Sequence, residues 1–136
     1  MTRILIVDDN PQVRTALRTC LQMHRSWNVC SEAENGRDAV ELARRLKPDI
    51  VLLDYAMPNM NGLEAARLIS ASMPHCGLIL FTMFASTQLS TLAQAAGVRT
   101  VISKDVGGVD AIIQAIEQIS REGNLGNQTP IGARPT

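Results

Sequence analysis

Five short β-type runs alternate with amphipathic helical segments along this chain, and that alternation restricts its fold more than any other feature. The runs are Arg3–Val7, Asn28–Glu32, Ile50–Leu53, Leu78–Thr82 and Thr100–Ser103. Three of them are almost wholly apolar, as strands covered on both faces are. Val13, Ala16, Leu17 and Cys20 follow the i, i+3, i+4, i+7 spacing of one helix face. Leu89, Leu92, Ala93 and Ala96 repeat it, as do Val109, Ile112, Ile113 and Ile116. Asn10 followed by Pro11 is an N-cap with a first-turn proline. Pro48 helps to stop the second helix and Gly97 stops the fourth. Strands that alternate with helices in this way predict an α/β domain: a doubly wound parallel sheet, helices on both faces and right-handed crossovers. From about Gly123 the pattern gives way to "GNLGNQTPIGARPT", so residues 1–122 are expected to form one domain and 123–136 a flexible tail.

Composition narrows the partners. Lys plus Arg equals Asp plus Glu at 13 each, so no surplus of charge points to nucleic acid or an anionic membrane. No apolar run approaches the roughly 18 residues that span a bilayer. The opening "MTRILIVDD" is too short in its apolar part for a secretory signal. Cys20, Cys30 and Cys76 are odd in number and form no CxxC pair, which predicts reduced thiols, no zinc and a cytoplasmic location.

In a doubly wound sheet, ligands bind beyond the carboxyl ends of the strands. Strand 1 ends in the adjacent pair Asp8 and Asp9, strand 3 in Asp54, strand 4 in Thr82 and strand 5 in Lys104. Two carboxylates side by side repel one another and lose solvation when covered, so they need either an open turn or a cation. Asp8, Asp9 and Asp54 offer the hard oxygen ligands that Mg2+ takes. A carboxylate beside such an ion can attack a phosphoryl group and become an aspartyl phosphate. Metal, hydroxyl and ammonium would then share the three phosphoryl oxygens. Taken singly, an Asp after a strand is more often a turn former or cap, and a lone Thr or Lys is usually ordinary. Their joint arrival on four strand ends favours the site.

The pieces "IVDDN", "LLDYAMPNMNGLEAARLI", "LFT", "AGV" and "SKD" resemble the receiver (response regulator) domains of two-component signalling, from about Arg3 to Arg121. Lys-Asp after strand 5, where Lys-Pro is more widespread, resembles the subfamily usually joined to a helix-turn-helix output domain. The resemblance implies a flavodoxin-like fold with strand order 2-1-3-4-5. It implies Asp54 as phosphoacceptor, taking its phosphoryl group from a sensor histidine kinase or a histidine phosphotransfer protein. Asp9 and Asp54 would bind Mg2+ (Mn2+ is the alternative) directly, Asp8 through water, and the Ala56 backbone carbonyl would complete the protein ligands. Thr82 would bond the phosphoryl group and Lys104 would pair with it. Such a chain is a switch rather than a metabolic enzyme.

Two positions depart from the family's habit. Val101 stands where an aromatic residue usually changes rotamer. Met83 replaces a small residue after Thr82, where a longer side chain narrows access to Asp54. Ala56 and Phe84 flank the path of an attacking water and are apolar, which predicts slow self-dephosphorylation. His24 and His75 are expected at the surface. Met57, Met60, Met73 and Met83 are expected to pack, and Pro58 to stiffen the loop after Asp54.

The family's docking face is built by the fourth helix, fifth strand and fifth helix. Here it would draw on Ser90, Gln94, Arg99, Asp110 and Gln114, a mixed polar set. A homodimer through that face is an expected partner arrangement, with no direct nucleic-acid contact by this chain and no membrane. Two other functions compete. A pseudo-receiver would keep the fold as a binding or dimerisation module without phosphotransfer. A haloacid-dehalogenase-like phosphatase would use a strand-1 Asp as nucleophile, usually in a DxD pattern, whereas here the strand-1 acids are adjacent and the isolated acid is on strand 3.

Overall fold

The computed structural model describes residues 1–105 and 107–128. Along them run β1 (Thr2–Val7), α1 (Pro11–Gln22), β2 (Trp27–Ala33), α2 (Gly36–Leu46), β3 (Ile50–Leu53), α3 (Gly62–Ser72), β4 (Gly77–Thr82), α4 (Thr87–Ala95), β5 (Thr100–Ser103) and α5 (Gly108–Gln128). The strands pair in parallel in the order β2-β1-β3-β4-β5, the flavodoxin-like arrangement. Strand alternation sorts the side chains into two cores. Ile4, Ile6, Ile50, Leu52, Ile79 and Phe81 face α1 and α5, where Leu17, Leu21, Ile112 and Ile116 meet them. Leu5, Val7, Val51, Leu53, Leu78 and Leu80 face Ala39, Val40, Ala66, Ile69 and Ala93 of α2, α3 and α4. Both faces of the central strands are therefore covered, which is why β3 and β4 read as unbroken apolar runs.

The caps come from short polar side chains. The Asn10 side chain accepts from the amides of Gln12 and Val13, with Pro11 in the first turn. Asn35 caps α2, Asn61 and Glu64 form a reciprocal capping box on α3, and Ser86 caps α4. Helix α2 stops at Lys47 in the left-handed region (φ 51°), directly before Pro48, and Gly97 follows α4 at φ 95°.

The structure revises some sequence expectations. β2 is longer than Asn28–Glu32, because Trp27 and Ala33 pair with Thr2 and Val7. The β1–β2 register slips between Ile4 and Leu5, leaving Cys30 as an extra residue whose Sγ–H donates to the Ile4 carbonyl at 3.4 Å. That bulge reverses the faces: Val29 joins the α1/α5 core and Ala33 the other. His24 is not a bare surface histidine, since its ring stacks on Trp27 at 3.9 Å between centroids. Helix α5 continues to Gln128, so the flexible tail expected from residue 123 meets helical backbone first; extending an existing helix needs no new nucleus. Residues 129–136 of that expected tail lie outside the described residues. The three cysteines are free, and no helix among the described residues is long and apolar enough to cross a membrane.

Candidate functional site

Register brings the polar residues to one edge. Val7 pairs with Leu53, so Asp8 and Asp54 leave adjacent strands at the same level, and the Asp54 amide donates to the Val7 carbonyl at 3.0 Å. Thr82 pairs with Ser103, and the Lys104 amide donates to the Thr82 carbonyl at 2.9 Å. Carboxylate oxygens of Asp8, Asp9 and Asp54 lie within 4.8 Å of one another. Asp8 and Asp54 are buried and Thr82 is fully so, while Asp9 is exposed.

Lys104 is the cation already among them. Its Nζ donates to Asp8 Oδ2 at 2.5 Å and lies 3.2 Å from Asp54 Oδ2. Its ammonium also stands 5.7 Å from the centroid of the Phe81 ring. The other Asp8 oxygen accepts from the Asn10 amide at 2.9 Å, and Asp54 Oδ1 accepts from the Tyr55 amide at 2.7 Å. Burial pushes the Asp54 carboxyl above its ordinary value; Lys104 opposes that rise and Asp8 adds to it. Burial by itself would lower the Lys104 ammonium, yet its bond to Asp8 and its attraction to Asp54 hold it above the usual lysine value. Three carboxylates converging on a place where an ammonium already sits are oxygen donors of the kind Mg2+ requires, so these residues fit that ion.

The remaining residues singled out from the sequence lie around this cluster. Ala56 is exposed in the loop after β3. Phe84 is exposed, its amide donates to Thr82 Oγ1 at 3.1 Å, and its ring meets Tyr55 edge-on at 6.5 Å. Val101 is a half-buried strand residue opposite Leu80. Met57, Met60 and Met73 pack on the core as expected. Met83 does not: it follows the last residue of β4 and stands 70% exposed.

Two neighbours, Arg14 and Glu32, were missed in the sequence, and a third, Gly62, was quoted there only within a motif. Arg14 Nη1 donates to the Asp8 carbonyl at 2.6 Å, and Arg14 Nε donates to Glu32 at 3.0 Å. Burial would raise the Glu32 carboxyl, but Arg18 and Arg14 hold it below the ordinary value. Their signal was present, because Glu32 closes the expected second strand at the same sheet edge. Gly62 donates to the Tyr55 carbonyl at 2.7 Å, and a Cβ there would stand 2.2 Å from the Asp54 carbonyl oxygen. Its mark is the Asn-Gly pair that opens α3.

Comparison with known proteins agrees with this fold. The family model described as response regulator receiver domain matches residues 4–117. The transcriptional regulatory protein LnrK of Bacillus subtilis (strain 168) is 36% identical over 123 residues, covering 90% of this chain and 56% of the relative. The response regulator GacA of Pseudomonas aeruginosa is 35% identical over 119 residues, covering 88% of this chain and 55% of the relative. The chain thus spans about half the length of the curated relatives it matches. The crystal structure of a LuxR-family two-component response regulator from Aurantimonas sp. SI85-9A1 superposes with a TM-score of 0.82 at 32% identity, covering 88% of this chain and 85% of that one.

Proposed function

Because the chain belongs to the response regulator receiver domain family, we propose that a phosphoryl group carried on Asp54 is its switch. The observation that carries this reading is the pair of buried carboxylates, Asp8 and Asp54, with the Lys104 ammonium within 2.5 Å and 3.2 Å of them. An Asp54 carboxylate oxygen attacks the phosphorus of a phosphohistidine. The O–P bond forms as the N–P bond breaks, and the imidazole leaves with its electron pair. Mg2+ (or Mn2+), held by Asp9, Asp54 and the Ala56 carbonyl directly and by Asp8 through water, would supply the positive charge that offsets the phosphoryl oxygens.

The chain's own groups do the rest. The Thr82 hydroxyl oxygen already accepts from Phe84, which leaves its proton free to donate to a phosphoryl oxygen. Lys104 turns from Asp8 toward the new charge. Ala56 and Phe84 offer no side-chain hydrogen bond to an attacking water, which supports a long-lived phosphorylated state. Phe84, tied to Thr82 and standing against Tyr55, is the route by which the change reaches α4.

The donor in this reading is a sensor histidine kinase or histidine phosphotransfer protein, acting in the cytoplasm. The responding surface is α4–β5–α5, through partner docking or a homodimer, without direct nucleic-acid contact by residues 1–122. The output in this reading is gene regulation, the role printed in the name of LnrK. The test is intact mass after incubation with Mg2+ and acetyl phosphate. One phosphoryl group is expected on the wild type, and none on Asp54→Asn or in EDTA. A chain that binds Mg2+ yet gains no mass would be a binding module instead.

A further inference from the structure

Asp8 is held from every side. Its amide donates to the Ala33 carbonyl of β2 at 3.0 Å, and its carbonyl accepts from Arg14 Nη1 at 2.6 Å. That carbonyl belongs to the Asp8–Asp9 peptide, so the arginine fixes the plane from which both carboxylates project. Arg14 is itself held. Glu32, level with Ile6 in the neighbouring strand, takes Arg14 Nε on one oxygen at 3.0 Å and Arg18 Nε on the other at 2.5 Å. The Arg14 side chain is only 16% exposed, unlike the partners of a solvated surface pair, whose contribution is small. We propose that Arg14, clamped by Glu32, is a positioning residue for the acidic pair, setting the spacing of Asp8 and Asp9 that a divalent cation needs. This rests on the reading of the cluster as the Mg2+ site.

Charge alone predicts the opposite sign. Arg14 is a cation near a cation site, so Coulomb repulsion by itself would make its removal tighten Mg2+ binding. Positioning makes its removal weaken binding, as loss of an outer partner of metal ligands usually does. Arg14→Lys separates the two further, because it keeps the charge but loses the fork that spans Glu32 and the Asp8 carbonyl.

The experiment is calorimetric titration with Mg2+ alone, no phosphodonor present. It compares wild type, Arg14→Met, Arg14→Lys, Glu32→Gln and, as a remote ion-pair control, Arg99→Gln, each checked for folding by far-ultraviolet circular dichroism. Both Arg14 variants and Glu32→Gln are expected to raise the Kd about tenfold, while Arg99→Gln stays within about twofold. Acetyl phosphate labelling should then need more Mg2+ to reach its midpoint but keep its plateau, a split that mere loss of stability would not produce. If Arg14→Met does not fold, Arg14→Lys and Glu32→Gln decide. Arg14 variants that bind Mg2+ as tightly as wild type, or more tightly, overturn the proposal while leaving phosphorylation of Asp54 intact. A wild type that binds no Mg2+ overturns both.

Discussion

Asp8 and Asp9 are identical in the sequence and unlike in the fold. Asp8 is 2% exposed with all its polar groups engaged, whereas Asp9 faces solvent. The acidic pair was legible because two adjacent carboxylates after an apolar run need a cation or an open turn. Their inequality was not, since it comes from contacts with Arg14 of α1 and, far away in the chain, with β2 and Lys104. Cys76 shows the same limit. In the sequence it read only as a reduced thiol, but burial first, with Asp49 and Cys30 nearby, pushes it up from the ordinary 9.0 to about 12. Below the lower value both the folded and the unfolded chain keep the proton. Between the two values only the unfolded chain releases it, so stability falls as pH rises, by at most about 1.4 kcal/mol per unit. Urea midpoints from pH 8 to 10.5 should therefore drop more steeply for wild type than for Cys76→Ala; parallel curves would contradict this.

At the scale of elements, most of what was read locally is present. β3 and β5 have the expected bounds, and Asn10, Pro48 and Gly97 act where caps and stops were expected. The slip at Cys30 was not legible, because a bulge depends on what the partner strand offers. The Asn61-Gly62 opening of α3 was recognised as a motif without its reason, which the structure supplies. The helix must start so close to β3 that a Cβ on Gly62 would strike the Asp54 carbonyl oxygen, backbone against side chain. Gly62→Ala is expected to destabilise by about 1–3 kcal/mol and to reduce acetyl phosphate labelling of Asp54. Asn61→Ala, which loses only the cap, should cost about 1 kcal/mol and keep its labelling. Thermal melts and intact mass on the same samples read both, and equal labelling of the two variants would refute the steric account.

For the whole molecule, the alternation of strands and helices was enough to predict a parallel sheet with two covered faces, while the strand order came with the family resemblance. Two layers on one sheet should unfold together. Ile79 and Leu80 are neighbours in β4, both fully buried, and they point into opposite cores. Ile79→Ala and Leu80→Ala are each expected to cost about 2–5 kcal/mol. Each should lower the urea midpoint of a single transition with unchanged slope. A second transition in either variant would mean that the two layers are separate cooperative units.

Lys104, reaching from the end of β5 to Asp8 and Asp54, has a consequence for the molecule at rest. The fold carries its own tethered counterion, so an ion taken up as proposed would meet carboxylates that are already partly compensated. An incoming monovalent ion offers no more charge than the lysine already supplies, and it must be recruited from solution while the lysine is always at hand. A small divalent ion brings twice the charge at closer range to the same oxygens. On the proposal that the cluster takes a divalent ion, the lysine would keep the resting carboxylates from repelling one another, and selection by charge density would precede any phosphoryl group.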